Sequence, residues 1–95
     1  MPRTFLVVHG VVQGVGYRHF VWRTAEMCGV SGFVRNADDG SVEILADGTD
    51  ENLKWFMKEI NIDMKDGPQV FKIDQNPDSA KRYLKNKYDE FKIEG

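Results

Sequence analysis

The chain has 95 residues, room for one domain, and a domain of this size buries only about 60–65% of the surface of its unfolded chain. With 13 Lys and Arg against 15 Asp and Glu, the net charge is −2, which argues against broad binding to nucleic acid or to an anionic membrane, because both need a basic surface. A single cysteine, Cys28, excludes an internal disulfide, and the two histidines lack the second cysteine that a zinc site would need.

The longest mostly apolar stretch, residues 5–12, does not suit a membrane span. It is interrupted by His9 and Gly10, and it is far too short to cross a bilayer. No signal-peptide cleavage pattern follows Met1. Together with the free thiol, these features predict a cytoplasmic protein with a single domain over residues 1–95.

The first third of the chain predicts a strand, a loop and a helix. Residues 5–12 are rich in β-branched side chains and too few for a core helix, which indicates a buried strand. Two glycines within residues 13–17 indicate a loop. Residues 18–28 have helical composition, and Gly29 follows where a left-handed C-terminal cap is expected. The residues of the predicted core stripe of this helix are Val21, Ala25 and Cys28.

A hairpin and a second helix are predicted next. Residues 32–36 and 41–46 are its strands, because Asp39-Gly40 is a strong turn signal and apolar residues alternate along the second strand. Thr49 predicts a helix N-cap, and the acidic residues that follow it suit the positive end of the helix dipole. The apolar residues of this helix recur at helical spacing: Leu53, Phe56, Met57 and Ile60.

Two further strands complete the predicted fold. Residues 70–73 and 91–93 are the candidates, and the polar segment 76–90 between them has no clear assignment. The first four strands and the two helices follow the order β-α-β-β-α-β, with residues 91–93 as a short final strand. This order is the split βαβ, or ferredoxin-like, pattern, an α+β fold in which both helices cover one face of an antiparallel sheet. Because that fold hosts many unrelated activities, it does not settle the function.

The loop between the first strand and the first helix is the strongest candidate site. Gly14 and Gly16 can take positive φ, so consecutive N–H groups can point at one centre, and the helix N-terminus adds donors and partial positive charge. Arg18 adds a planar guanidinium that matches phosphate oxygens. No Gly-Lys-Ser/Thr follows, so this is not a Walker loop. Taken alone, the pattern favours a simpler interpretation, a tight turn with an exposed arginine.

Two longer motifs favour a phosphate-binding loop over a simple turn. Residues 9–18 read HGVVQGVGYR, which resembles the loop G-x-V-Q-G-V-x-F-R of the acylphosphatase family. Residues 32–43 read GFVRNADDGSVE, which resembles the second block of that family, G-W-V-R-N-x-x-D-G-x-V-E. Tyr17 and Phe33 replace the usual Phe and Trp and keep their aromatic bulk. The resemblance covers nearly the whole chain. The same family motif also occurs as a domain of larger maturation proteins, and this chain of 95 residues resembles the free-standing acylphosphatases.

The resemblance implies hydrolysis of an acyl phosphate to a carboxylate and inorganic phosphate, with water as nucleophile and with no metal or cofactor. Carried over position by position, the loop holds the phosphoryl group, Arg18 clamps it and Asn36 orients the water. The implied loop residues are Gln13, Gly14, Val15, Gly16, Tyr17 and Arg18. The chemistry agrees, because a carboxylate with a pKa of about 4–5 leaves without a general acid. The expected partners are the small-molecule substrate and competing phosphate or sulfate, with no nucleic acid, no membrane and a monomeric chain.

Two other functions stay open beside this one. A non-catalytic anion-binding module would be favoured by the loss of Arg18 or Asn36, and both are present. An RNA-binding module on the same fold needs a basic surface and an aromatic pattern of which residues 32–35 are only a fragment. The remaining polar candidates, interpreted as structural or solvated, are His9, His19, Cys28 and the basic cluster Lys81, Arg82, Lys85 and Lys87.

Overall fold

The structure, a computed structural model, describes residues 2–77 and 87–94. These residues form β1 (Arg3–Val11), α1 (Tyr17–Cys28), β2 (Ser31–Asn36), β3 (Val42–Asp47), α2 (Asp50–Ile60), β4 (Gln69–Gln75) and β5 (Phe91–Glu94). The strands make one sheet in the order β4-β1-β3-β2-β5. No helix of the described part of the chain has the length and apolarity that a membrane span requires.

The sheet is antiparallel except at β5. β1 pairs antiparallel with β3 and β4, and β2 pairs antiparallel with β3. β5 lies parallel to β2, with Gly32 opposite Phe91. The predicted α+β, ferredoxin-like fold is confirmed, but the sheet is mixed and not antiparallel throughout. The reason is that the chain crosses from β4 at one edge to the opposite edge, and such a crossover lets the last strand run in the direction of its neighbour.

Both helices pack on one face of the sheet and form the main core with it. The predicted stripe of α1 is buried, as are Leu53, Phe56 and Ile60 of α2, whereas Met57 is partly buried. The strand residues of this layer include Leu6, Val8, Val34, Val42, Ile44 and Ala46. Burying one large apolar side chain stabilises a fold by about 1.5–3 kcal/mol, so this layer is the main source of stability.

The opposite face of the sheet carries a smaller apolar cluster of Phe5, Phe33 and Leu45. The rings of Phe5 and Phe33 lie 6.5 Å apart in an edge-to-face arrangement, and Tyr88 packs against the cluster. Arg3 lies over the Tyr88 ring. Because side chains alternate between the two faces of a strand, Phe5 and Phe33 point away from the helices, and Tyr88 packs over them.

The helix ends form as the sequence predicts. The Thr49 hydroxyl oxygen accepts a hydrogen bond from the Asn52 N–H at 3.1 Å, which caps α2. Gly29 ends α1 in the left-handed region with φ of 69°, and its N–H donates to the Ala25 carbonyl. Both caps satisfy main-chain groups that a helix end would otherwise leave unpaired.

The turn between β2 and β3 occupies residues 37–41. The Ala37 N–H donates to the Ser41 carbonyl at 2.9 Å, and Asp39 Oδ1 accepts from the Ser41 hydroxyl at 2.6 Å and the Ser41 N–H at 2.9 Å. These hydrogen bonds to Ser41 hold the pKa of the Asp39 carboxyl below its ordinary value. The predicted hairpin is confirmed, and β3 begins one residue later than predicted.

The unassigned polar segment falls largely outside the described residues. Lys81, Arg82 and Lys85 of the predicted basic cluster lie there. Lys87, its fourth member, is exposed.

Candidate active site

The C-terminal ends of three strands, β1, β2 and β5, lie at the same end of the sheet. β1 and β2 run in the same direction, because each pairs antiparallel with β3, and β5 is parallel to β2. Val11, Asn36 and Glu94 end these strands. The loop of residues 12–16 leaves the sheet at this end and leads into α1. The topology therefore gathers both sequence motifs at one place.

The loop bends twice through left-handed backbone. Gly14 has φ of 73° and Gly16 has φ of 80°. Glycine adopts this region without steric strain, whereas other residues are strained there. A Cβ built on either glycine would meet no described atom within 4 Å, so their side-chain positions face open space. The glycines are thus required by backbone conformation and not by crowding.

The N-terminus of α1 is suited to an anion. Gly16 occupies the N-cap position, where no side chain of the described residues caps the helix. The first turn also carries no acidic residue. The first N–H groups of α1 and the positive end of its dipole are therefore available to a ligand.

Arg18 lies in the first turn of α1 and reaches the end of β5. Its Nη1 donates to the main-chain carbonyl of Glu94 at 3.0 Å. The half-buried side chain lines a cavity of about 220 Å³. The other residues of that wall are Val12, Gly14, Gly16, Tyr17, His19 and Ile93. We name this cavity the phosphate cradle, because its wall combines the glycine bends, the helix N-terminus and a guanidinium.

Gln13 fastens the loop to the hairpin that bears Asn36. Its Nε2 donates to the carbonyls of Ala37 and Ser41, each at 2.8 Å. Its side-chain amide is therefore engaged with main chain, and what it offers the cradle is its backbone. Through this tether the loop is fixed one residue from Asn36.

Val15 and Tyr17 contribute their backbone to the loop and their side chains to the core. Val15 packs partly buried against the main core. Tyr17 is fully buried, and its hydroxyl donates to the Ile60 carbonyl at the end of α2, at 2.9 Å. Tyr17 thus fixes the start of α1 against the end of α2, which sets the position of the cradle relative to the helical layer.

Replacing Tyr17 with Phe should lower the free energy of unfolding at neutral pH by about 1–3 kcal/mol, since it leaves the Ile60 carbonyl without its partner. Burial also raises the pKa of the Tyr17 hydroxyl above its ordinary value of 10.0. The unfolded state then releases this proton first as pH rises, so stability falls above pH 10. Urea unfolding at neutral and alkaline pH checks both effects; a Phe variant with the same alkaline slope as the wild type contradicts the second.

Asn36 carries an unusual side-chain oxygen. It is the last residue of β2, and its Oδ1 is buried with no hydrogen-bond donor among residues 2–77 and 87–94. Leaving a buried acceptor unpaired costs about 1–3 kcal/mol, so such an atom calls for a bound donor. Asn36 does not line the wall of the cradle, but it lies next to the Gln13 tether.

Of the other polar candidates, His9 and Cys28 have contacts that suit a structural role, and His19 lies beside the cradle. His9 Nε2 lies 3.1 Å from Asp74 Oδ2, and Cys28 is buried, as predicted. Burial and the nearby Glu59 carboxylate raise the pKa of the Cys28 thiol, which keeps it in its less reactive form. His19 is exposed, with its ring 5.6 Å from that of Trp22, and it also lines the cradle. Within the described ranges, no three His, Cys, Asp or Glu side chains group as metal ligands.

The sequence did not identify the contribution of β5 to the site. Ile93 lines the cradle, and the Glu94 carbonyl holds Arg18. The apolar residues of 91–93 indicate a strand, but they carry no signal of which strand lies beside it. A main-chain carbonyl has no side-chain signature at all, and the same holds for the acceptors of Gln13.

Comparison with known proteins identifies relatives across most of the chain. The acylphosphatase family model matches residues 4–93. An acylphosphatase of Pasteurella multocida (strain Pm70) is 44% identical over 75 residues, which cover 79% of each chain. An acylphosphatase of Thermus thermophilus is 40% identical over 74 residues, which cover 78% of this chain and 80% of that one.

Solved structures share the fold. The crystal structure of acylphosphatase from Bacillus subtilis superposes with a TM-score of 0.80 at 34% identity, covering all of both chains. HypF from T. kodakarensis, at 24% identity and a TM-score of 0.77, covers 98% of this chain and 12% of its own, so the fold also occurs within a far longer protein. With the family match over residues 4–93 and relatives of this similarity, the chain belongs to the acylphosphatase family.

Proposed function

We propose that the phosphate cradle binds the phosphoryl group of an acyl phosphate, whose hydrolysis is the activity of the acylphosphatase family. The loop of residues 13–18 would surround the phosphoryl oxygens with main-chain N–H groups, and Arg18 would hold two of them with its planar guanidinium. The observation that carries the proposal is the wall of the cradle, which combines Arg18, the two glycine bends and the N-terminus of α1 without a side-chain cap.

Arg18 and the loop supply the stabilisation that the reaction needs. Phosphoryl transfer passes through a loose transition state, with charge spread over the equatorial oxygens, so positioning and electrostatic stabilisation do most of the work. The main-chain donors of the loop are fixed before substrate arrives, because the glycine bends and the Gln13 hydrogen bonds set their direction. Donors that are already oriented do not have to reorganise during the reaction.

Asn36 would position the attacking water. Its carboxamide oxygen accepts a hydrogen bond from that water, while its NH₂ group can donate to a phosphoryl oxygen. A loose transition state asks little of a general base, so holding the water in line is sufficient. The leaving group is a carboxylate with a pKa of about 4–5, which departs without protonation.

The same chemistry explains the remaining partner and cofactor proposals. Main-chain dipoles and Arg18 supply the positive field, so we propose a reaction without a metal or cofactor. Inorganic phosphate and sulfate fit the same cradle and should compete with substrate. We further propose a single domain over residues 1–95 that acts as a monomer. Its free cysteine suits the cytoplasm, where thiols stay reduced.

The purified protein should hydrolyse benzoyl phosphate at a rate that a metal chelator does not change. Ethyl phosphate, an alkyl monoester, should give no measurable turnover, because an alkoxide is a far poorer leaving group than a carboxylate. Phosphate release measured with both substrates, with and without chelator, checks this. Loss of activity on chelation would refute the metal-free mechanism, and equal rates on both substrates would refute the preference for acyl phosphates.

A further inference from the structure

A second hollow, of about 410 Å³, adjoins the phosphate cradle. The two cavities share Gly16 and His19 in their walls. We call the second hollow the α1 groove; the residues that define it are Gly16, His19, Phe20, Arg23, Thr24, Met27 and Glu59. Its wall begins at the N-terminus of α1, so the groove and the cradle form one continuous surface.

The α1 groove follows the axis of its helix. Gly16, Phe20, Arg23 and Met27 recur at intervals of three or four residues, which places them on one side of α1. At 1.5 Å per residue, the wall extends about 16 Å from Gly16 to Met27. Glu59 of α2 stands on the opposite side. The groove therefore leads directly away from the phosphate cradle.

The wall of the groove has two apolar side chains, Phe20 and Met27, among polar and charged ones. Phe20 packs against the main core with part of its surface open, and Met27 is 54% exposed. Arg23 is exposed and Glu59 half-buried. A volume of roughly 300–1,000 Å³ that combines apolar side chains with placed polar groups is typical of small-molecule sites. Methionine adapts its shape to different apolar partners, which suits a site for a flexible chain.

We propose that the α1 groove binds the acyl group of the substrate, and that the enzyme therefore prefers acyl phosphates with an extended apolar acyl chain. This inference rests on the proposed function. When the non-bridging oxygens of the phosphoryl group face the loop and Arg18, the bridging oxygen and the acyl carbon point out of the cradle. The apolar surface that continues the cradle along α1 is the groove, so an acyl chain that leaves the water there buries surface against Phe20 and Met27.

Comparing dodecanoyl phosphate with acetyl phosphate tests this preference, because a twelve-carbon chain is long enough to reach Met27. Both release an aliphatic carboxylate, so a difference in kcat/KM reports on binding of the chain and not on the leaving group. We expect kcat/KM to be about 10-fold or more higher for dodecanoyl phosphate, since each methylene buried is worth about 0.8 kcal/mol. Met27→Glu should remove most of this advantage and leave acetyl phosphate unchanged. Met64→Glu is the matched control, since Met64 is 50% exposed and lies outside the groove.

Inhibition by phosphonates gives a second measurement that does not depend on turnover. Dodecylphosphonate should inhibit or bind more tightly than methylphosphonate, and Met27→Ser, which shortens the side chain without adding charge, should reduce the difference. Inhibition by inorganic phosphate should stay the same in each variant, which shows that the cradle is intact. Equal constants for long and short chains, or a preference that survives both Met27 variants, would overturn the groove. If neither acyl phosphate is hydrolysed, the proposed function fails instead, and the phosphonates still test the groove.

Discussion

Asn36→Ala should lower kcat on acyl phosphates by about 10²- to 10³-fold, the effect of removing one preorganised polar group from an active site. The variant would lose the acceptor that holds the attacking water, while the loop and Arg18 stay in place. The inhibition constant of inorganic phosphate should therefore change little. Steady-state kinetics on benzoyl phosphate, with phosphate as a competitor, measures both quantities.

The stability of this variant separates a functional role from a structural one. Asn36 Oδ1 has no donor in the part of the chain that the structure describes, so Ala at this position gives up no hydrogen bond from that atom. Removing an unpaired buried acceptor should leave the free energy of unfolding equal or higher. Asn61→Ala, at an exposed position after α2, is the matched control and should keep full activity. An Asn36→Ala enzyme with wild-type kcat would show that water is positioned by another group.

Arg18→Ala should lower kcat/KM by about 10³-fold or more, because an arginine on the transferred phosphoryl group contributes on that scale. Unlike the Asn36 variant, it should also raise the inhibition constant of inorganic phosphate, since the guanidinium contacts the anion in the ground state as well. Arg18→Lys should recover only part of the loss. A lysine restores the charge but not the planar pair of N–H donors.

The control for Arg18→Ala must be a variant that loses one positive charge at a position outside the cradle. Lys54→Ala, on the exposed side of α2, removes one positive charge outside the cradle and should leave kcat/KM unchanged. If the two variants weaken phosphate inhibition equally, the effect comes from net charge and not from a clamp. Unchanged phosphate inhibition in Arg18→Ala would remove this residue from the site.

The parts of the fold that depend on neighbouring residues could be predicted from the sequence. The αL cap at Gly29 and the N-cap at Thr49 each rest on contacts within five residues, and both form as predicted. The stripe of α1 follows from spacing, because burial of one face imposes the periodicity of the element on the sequence. The hairpin follows from the alternation of apolar residues together with the Asp39-Gly40 turn signal. The glycines at 14 and 16 similarly take the positive φ that a loop of this kind needs.

The parts that depend on distant residues could not be predicted in this way. Arg18 and its Glu94 partner are separated by 76 positions, and Gln13 and Ser41 by 28. No local pattern encodes such pairs, because they exist only once the strands have taken their places in the sheet. For the same reason the sequence predicts neither the parallel placement of β5 nor the hydrogen bonds that the Gln13 amide makes to the hairpin. The resemblance predicts which positions form the site, and the three-dimensional structure shows what several of their side chains contact.

The partner of Arg18 has a consequence for how the site responds to pH. Arg3 and Arg35 form ion pairs with Asp47 and Glu43, which offset their charge. Among the described residues, a neutral carbonyl orients the Arg18 guanidinium, and this contact fixes its orientation without cancelling its charge. A carbonyl has no proton to gain in acid, so acidification does not release this arginine as it would release one held by a carboxylate. Acidification should therefore leave the orientation of Arg18, and its contribution to anion binding, unchanged.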